Sequence, residues 1–245
     1  MKVILFVIIS FFTLFSSIAQ IKNGKIEYGV TIEMIDGFKG GILEKPYTES
    51  MNNAKYLSFS LLFDKEYAVF SSNEGLGVGN GDGFMSKVSA GYMNEVFQNK
   101  DFSLTTVYKI YGDYLLKTEV IKDWSLVNES KEIEGFLCYK ATSTKVVVNS
   151  KGTFQFPIIA WYCPKIPFSF GPNGYGNLPG LILELQVRNV VYGAKKIDLN
   201  LKKTPVLSKP KDYPVITNEQ FEEIIKTEKG EENFKRGFVT PTDKF

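Results

Sequence analysis

The sequence predicts a mainly β fold: a single antiparallel sheet, strongly curved or rolled into an incomplete barrel, with one C-terminal helix. A two-sheet β-sandwich is the alternative. Three observations carry this. Apolar residues recur at every second position through most of the chain, the links between such runs are short and rich in turn formers, and one segment alone bears a full set of helix signals.

The elements follow in order. Ile26, Tyr28, Val30, Ile32 and Met34 alternate with Glu27, Thr31 and Glu33, the pattern of a half-buried strand. Tyr56 to Phe63 and Tyr67 to Ser71 form a hairpin around Asp64-Lys65-Glu66, with Leu57, Phe59, Leu61 and Phe63 on one face. From Gly75 to Gly83 every second residue is glycine, which reads as a surface loop because such a strand has little to pack with. Leu104 to Ile110 and Tyr114 to Ile121 pair around Tyr111-Gly112-Asp113, and Trp124 to Val127 adds a short strand. Gly135 to Val148 and Thr153 to Tyr162 are joined by Asn149-Ser150-Lys151-Gly152, and a last pair, Leu181 to Tyr192 with Lys195 to Lys202, is expected to turn at Gly193. At least nine strands without alternating helices point to antiparallel pairing. The helix begins at Thr217, where Thr217 and Gln220 have capping-box spacing, and carries the apolar stripe Phe221, Ile224 and Ile225.

The first nineteen residues read as an export signal. Lys2 is a short basic leader, Val3 to Phe15 is almost unbroken apolar sequence, and Ser17-Ile18-Ala19 is a small-x-small cleavage pattern. Residues 20–245 are then one β-rich domain, with 231–245 expected to be a loosely ordered tail. The apolar run is shorter than a bilayer span, so no transmembrane segment is expected after cleavage. The expected location is the periplasm, the outer-membrane surface or the medium.

Composition narrows the chemistry. With 29 basic and 27 acidic residues and arginine only at Arg188 and Arg236, the chain has no electrostatic footprint for nucleic acid. It contains no histidine, which removes Ser-His-Asp and Cys-His machinery and His-ligated zinc. Neither a cofactor nor a metal site is expected. Asn80 and Asp82 in the glycine run fall short of the roughly 6 to 8 oxygens calcium takes. That run also lacks the spacing of a phosphate-binding loop, with no following helix evident. Glu27, Glu33, Glu129, Glu132 and Glu134 read as solvated, and Glu184, flanked by leucines, reads as the polar face of a strand. A Glu184 to Arg188 contact would need long reach along one strand face.

The two cysteines permit a register argument. If Ser150-Lys151 is a two-residue hairpin loop, Asn149 faces Gly152 and Cys138 falls directly opposite Cys163. In an oxidising compartment they would form a disulfide; alternatively both are small buried hydrophobes. Pro157 is the threat to this register, since proline in a strand belongs at an edge or a bulge.

The segment from Ala160 to Leu185, AWYCPKIPFSFGPNGYGNLPGLILEL, combines Pro/Gly turns with aromatic residues and no ionisable cluster. Trp161, Tyr162, Phe168, Phe170 and Tyr175 are the candidate ligand-facing residues, with core packing as the plain alternative. The LPGLILEL run, the WYxPxIPxxxGP pattern before it and the CxKAT element at Cys138 to Thr142 resemble the GLPGLI family of secreted Bacteroidetes proteins, whose biochemical activity is not established. The resemblance implies export and a β-rich fold, and gives Pro164, Pro167, Gly171, Pro172, Leu178, Pro179, Gly180, Leu181 and Ile182 a structural role. It supplies no catalytic residues. Asn177 replaces the motif's first glycine, and Cys163 replaces the usual threonine after Trp-Tyr.

Two functions are therefore expected. The first is an exported, non-catalytic binding or accessory protein of the cell envelope, with an unknown apolar ligand or an envelope protein as partner. The second is a carboxylate-dependent hydrolase of unrecognised type, with Glu184 as first suspect.

Overall fold

A computed structural model describes residues 20–73, 82–107, 113–149, 152–203, 205–207, 209–210 and 212–224. Among the described residues twelve strands form one open sheet: β1 (Gly24–Ile32), β2 (Ser58–Phe63), β3 (Ala68–Ser72), β4 (Val96–Gln98), β5 (Phe102–Val107), β6 (Tyr114–Glu119), β7 (Ser125–Ile133), β8 (Phe136–Asn149), β9 (Gly152–Cys163), β10 (Leu181–Val187), β11 (Val190–Leu199) and β12 (Val215–Ile216). Their order is β12-β6-β5-β4-β3-β2-β1-β11-β10-β9-β8-β7. Every pairing is antiparallel except the short β12 against β6. The mainly β single-sheet expectation holds, and the sandwich alternative does not.

The connectivity forces the sheet to curl. Strands β6 and β7 are ten positions apart in the order, about 48 Å in a flat sheet. The link between them, residues 120–124, reaches only about 20 Å. The sheet must bend until its two ends approach, and a concave face results.

That face holds the core. Ile26, Tyr28, Val30 and Ile32 of β1 are buried, as are Phe59, Leu61 and Phe63 of β2. Phe59, Phe70, Tyr92 and Tyr192 meet with ring centroids 5.1 to 5.9 Å apart, and each such pair contributes about 1 kcal/mol beyond its buried area. The Tyr28 hydroxyl donates to the Ile182 carbonyl at 2.7 Å, tying β1 to β10 across β11.

Among the described residues there are three α-helices where the sequence suggests one. α1 (Glu44–Ala54) buries Tyr47, Ser50 and Ala54, one face at helical spacing but too weakly apolar to stand out. α2 (Asp82–Ser89) begins within the end of the glycine run, at Asp82 and Gly83, where no helix is evident from sequence. α3 (218–224) is the expected one. Its capping box is formed: the Gln220 amide donates to Thr217 Oγ1 at 3.3 Å, and Gln220 Oε1 accepts from the Thr217 amide at 2.9 Å.

Other differences are local. The last hairpin turns at Arg188–Asn189, with Val187 opposite Val190, and Gly193 lies inside β11 facing Gly29 and Glu184. β7 runs on to Ile133, so Glu129 and Glu132 lie within it. The β4 and β12 strands are too short to announce themselves in sequence. The expected signal (1–19), most of the glycine run with Asn80, most of the turn at 111–113, the tip at 150–151 and the 231–245 tail lie outside the described residues.

The β8–β9 register agrees with the cysteine argument, from Asn149 opposite Gly152 to Tyr139 opposite Tyr162. Pro157 causes no slip. β10 ends at the Val187–Ile158 pair, so β9 outruns it there, and the Pro157 carbonyl accepts the Arg188 amide at 3.3 Å. Because the N and O of one strand residue face the same neighbour, the missing N–H points beyond the end of β10 and leaves β8 unaffected.

Candidate functional site

The Pro/Gly crossover, residues 164–180, lies across the concave face. It first folds back along its own strands: Leu181 donates to the Ile166 carbonyl at 2.9 Å and Ile182 to that of Phe170 at 3.0 Å. It then reaches the opposite half of the sheet. Gln98 Nε2, on β4, donates to the carbonyls of Gly174 and Tyr175, each at 3.1 Å. Trp124 Nε1 donates to the Gly176 carbonyl and Asn177 Nδ2 to that of Ile121, both at 2.9 Å, which ties the crossover to the β6–β7 link. Asn173 Nδ2 donates to Gly91 at 2.9 Å, just past α2.

This path explains two of the glycines. A Cβ on Gly180 would lie 2.3 Å from the Cys163 carbonyl oxygen, and its φ of +156° disfavours side chains in any case. One on Gly176 would lie 2.3 Å from the Ser169 oxygen. Asn177 enters the left-handed region at φ 64°, as the glycine it replaces would.

The five candidate aromatics do not converge. Phe168 and Phe170 are buried in the core, the former packed on Phe63 at 4.8 Å. Tyr162 is buried beside Tyr139. Trp161 points to the outer face, because strand alternation separates it from Tyr162. Only Tyr175 lines the cavity of about 140 Å³ between the crossover and the concave sheet. A second, more open depression of about 510 Å³ touches Phe168 and Phe170, but its rim of Lys65, Glu66, Lys100 and Asp101 mixes both signs of charge like ordinary solvated surface.

The cavity's strand wall is Lys145, Val147, Phe156, Leu185, Val187 and Tyr192; its roof is 88–91, Asn173 and Tyr175; its rim is Tyr47, Arg188 and Asn189. Several polar groups are already engaged. Tyr192 donates to the Ala90 carbonyl at 2.8 Å. Asn189 Nδ2 donates to the Glu33 carbonyl at 2.7 Å and to the Tyr47 hydroxyl at 2.6 Å. The Arg188 guanidinium lies 4.5 Å from the centre of the Phe156 ring, on a residue whose φ of 56° costs on the order of 1 kcal/mol for a non-glycine.

Lys145 and Tyr175 differ. Neither side chain has a hydrogen-bond or ion-pair partner among the described residues. Burial lowers the Lys145 ammonium below its usual pKa of 10.5 and pushes the Tyr175 phenol up to about 12. No carboxylate lines the cavity among the described residues. Lys145 was legible in principle: on the predicted β8 register it shares a face with Ala141 and Val147, an odd place for a charge.

The outer face of the same strands is different. β10 carries a bulge between Ile182 and Glu184, which leaves Leu183 unpaired and turns Glu184 to the face of Trp161. There Glu184 accepts a salt bridge from Lys131 at 2.7 Å, and contact with Arg188 does not arise. Lys131 also lies 4.4 Å from the Trp161 ring centre, and Lys140 pairs with Glu129 at 2.9 Å. Cys138 and Cys163 are buried as neighbouring free thiols, and Cys138 Sγ donates to the Phe136 carbonyl at 3.4 Å. Interaction between the two thiols, with amide donors at Ile166 and Lys165, pulls the Cys163 thiol down, and the same interaction together with burial pushes Cys138 up.

Comparison with known proteins adds the following. Residues 151–184 match a family described as "Protein of unknown function (Porph_ging)". The match spans β9, the crossover and the start of β10. No curated protein matches the chain. Among solved structures, PNGF-II in a P21 space group superposes with a TM-score of 0.50 at 13% identity, covering 84% of this chain and 33% of that one. PNGF-II in a C2 space group gives 0.49 at 14%, with the same coverage. This chain thus spans about a third of the length of those proteins, and the likeness is one of β fold alone.

Proposed function

We propose that this chain is an exported, non-catalytic binding or accessory protein of the bacterial cell envelope, related to the GLPGLI proteins, that holds its ligand at the concave face beneath the crossover. The observation that carries the reading is the cavity itself, walled by strands, roofed by the motif segment, mostly apolar, and without a carboxylate among its lining residues. The hydrolase reading needs two acids converging about 5 to 9 Å apart. Its first suspect, Glu184, is ion-paired on the opposite face of the sheet. The expected ligand is apolar or amphipathic, and nucleic acid is not expected.

Export is supported by the pattern of residues 1–19, with the mature chain in the periplasm, at the outer-membrane surface or in the medium. In that setting Cys138 and Cys163 close as a disulfide, passing two protons and two electrons to a thiol–disulfide oxidant, and fasten the start of the crossover to β8.

Native mass spectrometry of the protein purified from its own envelope tests the binding role. A retained small molecule or peptide is expected, and a clean apo mass counts against it. N-terminal sequencing should begin at Gln20. Non-reducing peptide mapping should find the Cys138 and Cys163 peptides joined; recovery of both as alkylated thiols would sink the disulfide.

A further inference from the structure

Resting on the binding role above, we infer that the concave cavity is a carboxylate site: Lys145 Nζ and the Tyr175 hydroxyl receive the carboxylate of a short aliphatic acid whose chain lies along Val147, Phe156, Leu185 and Val187.

The argument begins with charge. An ammonium partly withdrawn from water gains from an accompanying anion, yet half-buried Lys145 lines a cavity with no Asp or Glu among its described lining residues and has no partner among the described residues. The other cation there, Arg188, lies against the Phe156 ring. An acidic ligand supplies the missing charge.

Hydrogen-bond capacity narrows the class. Asn189 and Tyr192 direct their donors at protein acceptors, while Lys145 and Tyr175 have no acceptor among the described residues. Two available donors suit the two oxygens of a carboxylate. A phosphate dianion, with three terminal oxygens, would meet mostly apolar walls. Size narrows it again: an apolar cavity of about 150 Å³ takes benzene, a ligand of six heavy atoms, and this one, at about 140 Å³, has room for butyrate, which also has six.

The test is calorimetric titration of the full mature protein with butyrate, butyramide and inorganic phosphate at pH 7. Butyrate should bind at one saturable site, with butyramide and phosphate at least about tenfold weaker. Lys145→Met should abolish the preference for butyrate over butyramide without lowering the melting temperature, and Tyr175→Phe should weaken butyrate a few-fold. Equal binding of butyrate and butyramide would overturn the carboxylate assignment and leave the apolar binding role standing. Phosphate binding as tight as butyrate would also overturn it. If none of the three binds, the cavity is not a small-acid site, while native mass spectrometry still decides the binding role separately.

Discussion

The two walls of the cavity are built on opposite principles. The crossover wall is fixed by backbone: glycines at contact distance, carbonyls capped by Gln98 and Trp124, and almost no charge. The strand wall is an ordinary sheet surface that carries Lys145, a charge with no partner among the described residues. Sequence that specifies a path tolerates little change, whereas sequence that presents a group can change without unfolding the protein. The crossover should therefore govern stability, and the strand wall binding.

Gly180→Ala should break the comparison hardest. A methyl 2.3 Å from the Cys163 oxygen must displace backbone, at a cost above about 3 kcal/mol in urea unfolding. A loss below 1 kcal/mol would mean that the crossover is pliable. Gln98→Met removes both donors to Gly174 and Tyr175 and should cost about 2 kcal/mol in the same assay. Lys131→Met deletes the part-exposed pair with Glu184 and should cost less than about 1 kcal/mol. Lys145→Met should cost nothing, because it removes an ammonium that burial disfavours.

The pH dependence sharpens the same contrast. The folded Lys145 pKa lies below the ordinary 10.5, so between those values the unfolded chain binds more protons and stability rises with pH. Lys145→Met should remove that rise from a series of melting curves. In the reduced protein the cysteine pair should behave otherwise: thiolate absorbance should show one group titrating below the ordinary 9.0 and the other above it. Two coincident titrations near 9 would show that the thiols do not influence each other.

Much of the sheet was legible because alternation and turn chemistry act locally. The β8–β9 register followed from Asn149 and Gly152, and Pro157 proved harmless for a reason no single strand reveals, the early end of β10. Gly193 misled because glycine marks both turns and strand interiors; the turn fell to Arg188–Asn189. α1 was hidden because its buried face is Tyr47, Ser50 and Ala54. The site was harder to read. Aromatic density around Trp161 and Tyr175 drew attention to the crossover, but which aromatics line a cavity depends on strand alternation, a bulge at Leu183 and a curl set by the β6–β7 link. None of these is local.

Strand β1 ends at residue 32, yet one of its two edges is completed by β11, which begins at residue 190. That seam joins the β2–β6 half of the sheet, extended by β12, to the β7–β11 half. A growing chain cannot close it until nearly the whole domain has been synthesised, and contacts so distant in sequence form slowly. Until then β1 and the segments that follow it have no finished sheet to settle into. A protein laid out this way stays unfinished through most of its synthesis, which leaves a threadable chain for whatever machinery handles it first.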